Sequence, residues 1–261
     1  MTTSAPPIDR REDARDDGKY LTIIEHLQEL RRRVVISVAA LAVGIGVSIW
    51  PLTKYTVHFL VIPAQRELPG FKLHQFQLLD YWSTYFKVSL LLGLALAMPV
   101  IVYQMLAFVG PGLTKQERRW LIPIVLGASA MFVAGMAFGY YAELPPALRF
   151  LLKPNTDDVE ATIGVQTYID TVVRLLFITG LVFEMPLIIM GLAKIGVVTS
   201  AKLIRLWRYA ILFAVVLAAI VTPSIDPITQ LVVATPILVL YFAGALLAKL
   251  VEGNSVLGAR G

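Results

Sequence analysis

Phe86–Val109 reads FKVSLLLGLALAMPVIVYQMLAFV, and Lys87 is its only charged residue. A helix rises about 1.5 Å per residue and the hydrocarbon core of a bilayer is about 30 Å thick, so a run of this length crosses a membrane. Three further segments have the same character on either side of it: Val34–Leu52, Leu121–Tyr141 and Val172–Ile195. Trp207–Val221 and Ile228–Leu247 are shorter, and the first of them reaches only about 22 Å as a helix. It still counts as a span, because the next apolar run follows after a tight Pro-containing turn. Two short spans side by side imply a locally thinned bilayer or strong tilt elsewhere. The expectation is an all-α membrane protein with six transmembrane helices, occupying 34–250.

Composition agrees with that count. Of 261 residues, 57% are hydrophobic and 16% charged, and the mean hydropathy is +0.72. A soluble domain carries about 25% charged residues. The balance excludes a soluble enzyme, a disordered chain and a nucleic-acid-binding arm. With no cysteine in the chain, disulfides, thiolate metal sites and cysteine nucleophiles are excluded as well. The net charge of +5 is spread unevenly along the chain and serves orientation. Lys and Arg are concentrated in the stretch up to Arg33, in the 110–120 loop, in 194–208 and at the C-terminal end. They are sparse in the alternate loops, which hold Lys54, Arg66, Lys72, Arg149 and Lys153. By the positive-inside rule both termini are expected in the cytosol.

Residues 1–19 are polar and rich in Asp, Arg and Pro, and are expected to form a disordered cytosolic tail. They lack the apolar core of a secretory signal. In 20–33, apolar Tyr20, Ile23, Ile24, Leu27 and Leu30 recur on one helical face, and Thr22 with Glu25 has capping-box spacing. A separate amphipathic helix on the cytosolic surface is expected there, with a second cytosolic tail at 251–261. Prolines recur inside or at the ends of spans: Pro99, Pro123, Pro145, Pro146, Pro186 and Pro236. Each interior proline frees a carbonyl and bends its helix. These are either ordinary membrane-helix prolines or the cause of a cupped bundle with a polar groove.

Enzymatic signatures are missing: no His-Glu-x-x-His, no Gly-x-Ser-x-Gly elbow and no Gly-rich phosphate loop. Neither a catalytic residue nor a metal nor a cofactor is implied. Four polar clusters remain. Glu29 precedes Arg31-Arg32-Arg33 and is either an i,i+3 or i,i+4 ion-pair partner or a carboxylate presented to a cationic ligand. Glu117 follows Thr114 at capping-box spacing, beyond a Gly110-Pro111-Gly112 turn. Glu184, in Phe183-Glu184-Met185-Pro186, stands as the one acid well inside a span. It is either a polar functional group or bonded to a carbonyl that Pro186 leaves free. Asp226 before Pro227 reads as a helix start between spans five and six.

Together these clusters resemble the TatC family, the polytopic receptor subunit of the twin-arginine protein translocase. The resemblance runs from about Ile23 to Leu250. It rests on His26-Leu27-x-Glu29-Leu30-Arg31-x-Arg33, on Tyr103-Gln104 with Phe108-x-x-Pro111-x-Leu113-x-x-x-Glu117-Arg118-Arg119, on Phe183-Glu184-x-Pro186, and on Thr222-Pro223-x-x-Asp226-x-x-x-Gln230. The resemblance implies a receptor for twin-arginine signal peptides of folded proteins, which recruits single-span TatA/TatB-type partners for export driven by the proton-motive force. It further implies a multi-pass protein of a prokaryotic plasma membrane, in contact with lipids and oligomeric within a receptor complex. Position by position, Glu29 and Glu117 would be the acidic docking residues, with Arg31, Phe108 and Leu113 shaping the same patch. Glu184 and Pro186 would lie in the membrane groove. Pro223, Asp226 and Gln230 would lie near the periplasmic cap and a partner-helix site.

The chemistry fits such a role, since guanidinium groups prefer planar carboxylate acceptors. Two other classes compete. A proton-coupled small-solute carrier would use Glu184 as its relay, and would show internal repeats and several intramembrane polar groups. An assembly factor would have no cargo site at all.

Overall fold

The computed structural model describes residues 10–50, 52–68, 70–109, 121–152, 163–194, 196–222 and 227–258. Within them the chain is helical, and a lone bridge between His74 and Gly164 is the only β pairing among the described residues. The helices are α1 (Arg10–Ile49), α2 (Leu52–Glu67), α3 (Asp80–Val109), α4 (Leu121–Phe138), α5 (Leu144–Leu152), α6 (Val165–Phe183), α7 (Met185–Lys194), α8 (Ser200–Arg205), α9 (Trp207–Val221) and α10 (Pro227–Gly258). A π-helical turn, Gly139–Glu143, joins α4 to α5.

Five stretches are long and apolar enough to cross a membrane: Ile24–Ile49, Asp80–Phe108, Leu121–Leu151, Val165–Lys194 and Thr229–Glu252. Trp207–Val221 is the sixth and shorter apolar helix. The six runs foreseen from hydropathy are therefore present, but their limits move. The last is a full-length span of 24 residues, so only α9 is short. The fourth is two helices, α6 and α7, which meet at Glu184. There Pro186 cannot donate to the carbonyl of Val182, and the Glu184 N–H turns to the Leu181 carbonyl at 3.1 Å.

The N-terminal boundaries differ as well. α1 starts at Arg10, inside the stretch expected to be a tail through Lys19, and it runs without interruption to Ile49. The amphipathic segment 20–33 is thus the first part of the helix that becomes span one, not a separate element. α2 occupies a region that hydropathy alone leaves as a loop.

Successive crossings give the bundle two ends. The proximal end carries the start of α1 and the end of α10, and the distal end carries α2, α5 and the His74–Gly164 bridge. α1 packs chiefly on α3, α4 on α6 and α3, and α10 on α7 and α9. Only 11% of the α1 span is buried within the chain, so most of that helix faces outward. Lipid-immersed helices associate without a hydrophobic drive, so close approach depends on small residues. Gly44 and Gly93 supply one such crossing: a Cβ on Gly44 would lie 2.4 Å from the Gly93 carbonyl oxygen. Gly135 and Gly180 do the same for α4 and α6, where an added Cβ on Gly135 would meet the Gly180 Cα at 2.9 Å.

Polar groups tie the distal end together. Pro63 leaves the carbonyl of Phe59 without its helical donor, and the Tyr140 hydroxyl donates to it at 2.8 Å. The Tyr168 hydroxyl donates to the next carbonyl, that of Leu60, at 2.8 Å. Ser48, Thr53 and Ser89 are fully buried and bond one another and nearby carbonyls at 2.9–3.0 Å. In lipid such internal partners are obligatory.

Candidate functional site

At the proximal end, α1 and α3 bring two of the sequence clusters side by side. Arg33 donates from Nε to Glu29 Oε1 at 3.0 Å, and its Nη2 reaches the same oxygen. Nη1 of Arg33 donates across to Gln104 Oε1 on α3 at 3.3 Å. One turn toward the N-terminus, His26 stacks on Phe108 with ring centroids 4.5 Å apart. Glu29 and Arg33 are half-buried, while His26, Arg31 and Tyr103 are exposed. The i,i+4 ion pair weighed against a docking role for Glu29 is therefore formed, with Arg33. Such a pair contributes only about 0.3–0.5 kcal/mol on a helix, so a cationic ligand can compete for the carboxylate at small cost. The second oxygen of Glu29 is not used by Arg33. Arg31, two residues after Glu29 and exposed, stands on the same helix without joining this pair.

Among the other docking residues, Leu113 and Glu117 lie outside the described residues, as do Pro223 and Asp226. Gln230 lies inside them. It donates from Nε2 to the Val215 carbonyl at 3.0 Å, joining α10 to α9. Pro186 is buried at the start of α7.

Glu184 is 6% exposed, and its Oε1 has no hydrogen-bond partner among the described residues. Bonding of this oxygen to the carbonyl freed by Pro186, one reading of the sequence, is absent. Its carboxyl lies instead against the main chain of Phe132 on α4.

Glu184 is not the only acid in the membrane region, contrary to the hydropathy reading. Glu143 is 1% exposed, and its Oε2 accepts from the Thr179 hydroxyl at 2.6 Å. Sequence reasoning missed it because span three was ended at Tyr141, which left Glu143 in a loop. The π turn and α5 carry the apolar helix on to Leu151. Asp170 was missed in the same way: it lies five residues into α6 and accepts from Lys87 Nζ at 2.6 and 2.7 Å. A proximal clamp also had no sequence signal. Glu252 accepts from the Ser200 N–H at 2.7 Å and from its hydroxyl at 2.6 Å, closing the end of α10 onto α8. None of these groups forms a cluster of His, Cys, Asp and Glu able to hold a metal among the described residues.

Comparison with known proteins covers the same region. Residues 25–236 match the family model for TatC, the Sec-independent protein translocase protein. The chain is 42% identical over 241 residues to the chloroplastic Sec-independent protein translocase protein TATC of Arabidopsis thaliana, spanning 92% of this chain and 70% of that protein. It is 39% identical over 250 residues to the Sec-independent protein translocase protein TatC of Synechocystis sp., spanning 94% and 96%. A crystal structure of the twin arginine translocase receptor TatC superposes with a TM-score of 0.77 at 35% identity, covering 87% of this chain and 99% of that one. With its helical membrane architecture and a family match running through spans one to five and into the sixth, the chain belongs to the TatC family of Sec-independent protein translocase proteins.

Proposed function

We propose that this protein is the receptor component of a twin-arginine translocation system. It binds the signal peptides of folded proteins at the proximal end, which faces the cytosol of a prokaryotic plasma membrane. The observation that carries this reading is the Glu29–Arg33–Gln104 cluster beside stacked His26 and Phe108. It holds a carboxylate in fixed orientation on a partly exposed surface, with an aromatic face next to it. An incoming guanidinium takes the free side of Glu29, and Arg33 keeps its hold on Gln104. Glu117 supplies the second acceptor, and Arg31 and Leu113 complete the patch. Two carboxylate acceptors match a pair of arginines, each of which presents a planar fork where lysine presents a point charge.

Single-span TatA/TatB-type partners dock within the membrane. Glu184 offers them a polar anchor, and the α9–α10 pair, bridged by Gln230, offers a second surface together with Pro223 and Asp226. Transport is driven by the proton-motive force and the receptor assembles as an oligomer.

Site-specific crosslinking from position 108 to a twin-arginine signal peptide tests the proposal, with a Lys-Lys version as control. Strong crosslinking of the Arg-Arg peptide alone supports it; equal crosslinking of both peptides removes the selectivity on which it stands. A proton-coupled solute carrier gains one observation, the presence of two buried carboxyls, Glu143 and Glu184, in the spans. Export measured with glutamine at position 184 separates the two classes.

A further inference from the structure

Away from both proposed docking regions, α3 and α6 flank an open cleft of about 310 Å³. Its mouth is polar, with Lys87, Asp170 and Arg174, and its depth is apolar, with Leu90, Leu91 and Leu94 on one wall and Phe177 on the other. The charges do not balance. Lys87 places its ammonium on both oxygens of Asp170, at 2.6 and 2.7 Å. Asp170 and Arg174 are four residues apart on α6, the spacing at which an acid and a base ordinarily pair on a helix. Yet no ion pair links them, and Arg174 has no carboxylate partner among the described residues.

The depth of that cation matters. Arg174 lies nine residues into α6, about 14 Å from its distal end. Its long side chain points back toward the N-terminal, distal end of α6, where an interfacial anion can meet the guanidinium. The side chain is exposed, so an anion from outside the chain can reach it.

We propose that this cleft binds an anionic phospholipid from the leaflet at the distal end, with its phosphate on Arg174 and Lys87 and an acyl chain along Leu90, Leu91, Leu94 and Phe177. The geometry separates a charged end from an apolar end along the helix axes, the order in which a phospholipid enters a bilayer. A guanidinium binds phosphate oxygens in a bidentate manner, and Lys87 keeps further donor capacity beyond the two oxygens of Asp170.

The test uses the purified full chain in detergent, offered phosphatidylglycerol or phosphatidylcholine of identical acyl chains, with lipid adducts counted by native mass spectrometry. Arg174→Gln removes the cation at an exposed position, and Leu94→Trp fills the apolar end. Wild-type protein is expected to retain phosphatidylglycerol roughly tenfold over phosphatidylcholine, which carries the same phosphate but sets a quaternary ammonium beside Arg174 and Lys87. Arg174→Gln should erase the preference, and Leu94→Trp should lower retention of both lipids while the thermal transition stays in place. Glycerol phosphate, a head group without tails, should not compete. Equal retention of the two lipids by wild type overturns the proposal, as does an undiminished preference in Arg174→Gln. A photocrosslinker at position 177 adds the remaining arm: a lipid adduct supports the site, and capture of a single-span protein in its place overturns it.

Discussion

Glu29 at the proximal end and Glu143 in the interior are both carboxylates with a hydrogen-bonded neighbour, yet their surroundings set opposite rules. Glu29 is half-buried, shares its partner Arg33 with Gln104, and keeps one oxygen available. Glu143 is sealed, and Thr179 donates to it from the facing helix. Water stands in for a lost partner at the first position and is excluded at the second, where an unmatched polar atom carries its full desolvation cost. The proximal end can therefore exchange partners, as the proposed docking role requires. The interior is held by contacts that admit no substitute.

The sharpest way to break that contrast lies in the interior. Gly44→Leu drives a side chain into the main chain of Gly93, and no rotamer relieves it. We expect a loss of about 3 kcal/mol or more, read as collapse of the thermal transition in detergent. Thr179→Val comes next, since it leaves the Glu143 carboxyl without that donor; a loss of about 1–3 kcal/mol is expected. Thr179→Ser, which keeps the hydroxyl, should recover most of it. A neutral Thr179→Val would mean that Glu143 finds another donor and that the interior, too, can exchange partners.

Glu184 falls between the two regimes, being buried with one oxygen unpartnered. Glutamine keeps its polarity and nearly its volume, so Glu184→Gln should change stability by less than about 1 kcal/mol and retain substantial export. Glu184→Ala should weaken crosslinking to a single-span partner more. Complete loss of export in Glu184→Gln with normal partner crosslinking would instead favour the proton-relay reading.

At the proximal end, Glu29→Lys should shift stability by only about 0.5 kcal/mol and yet abolish binding of an Arg-Arg signal peptide, with Glu29→Gln less harmful. Wild-type affinity in the lysine variant would move the docking site elsewhere. A gain in place of a loss is expected for Gly46→Ala, two residues from Gly44. Nothing lies within 4 Å of the added Cβ, and helix propensity alone should raise stability by up to about 1 kcal/mol.

Much of this was legible in the sequence because hydrophobic thickness is a one-dimensional constraint. A run such as Phe86–Val109 must cross, and the number of crossings followed from counting such runs. The motif around Glu29 was legible too, since its residues are close together in sequence and an i,i+4 pair needs no tertiary information. Limits of spans were less accessible. Glu143 and Asp170 look like loop residues because hydropathy averages over a window, and only a facing Thr179 or Lys87 lets a charged group stay on a membrane helix. α2 was hidden for a related reason: Pro63 lies inside it, and the hydroxyl of Tyr140, 81 residues away from Phe59, is what satisfies the carbonyl that the proline frees.

The sequence by itself determined the helical membrane class, the six crossings, the family and the segments that meet at the proximal end. Each depends on composition, on length against the bilayer, or on residues close in the chain. Tertiary structure alone decided that Arg33 also reaches Gln104, that Gly44 seats against Gly93, and that Asp170 takes Lys87 and leaves Arg174 beside the cleft between α3 and α6. Such choices depend on which distant helix arrives within hydrogen-bonding distance, and a low-dielectric interior makes that arrival the deciding energy for every polar group it buries.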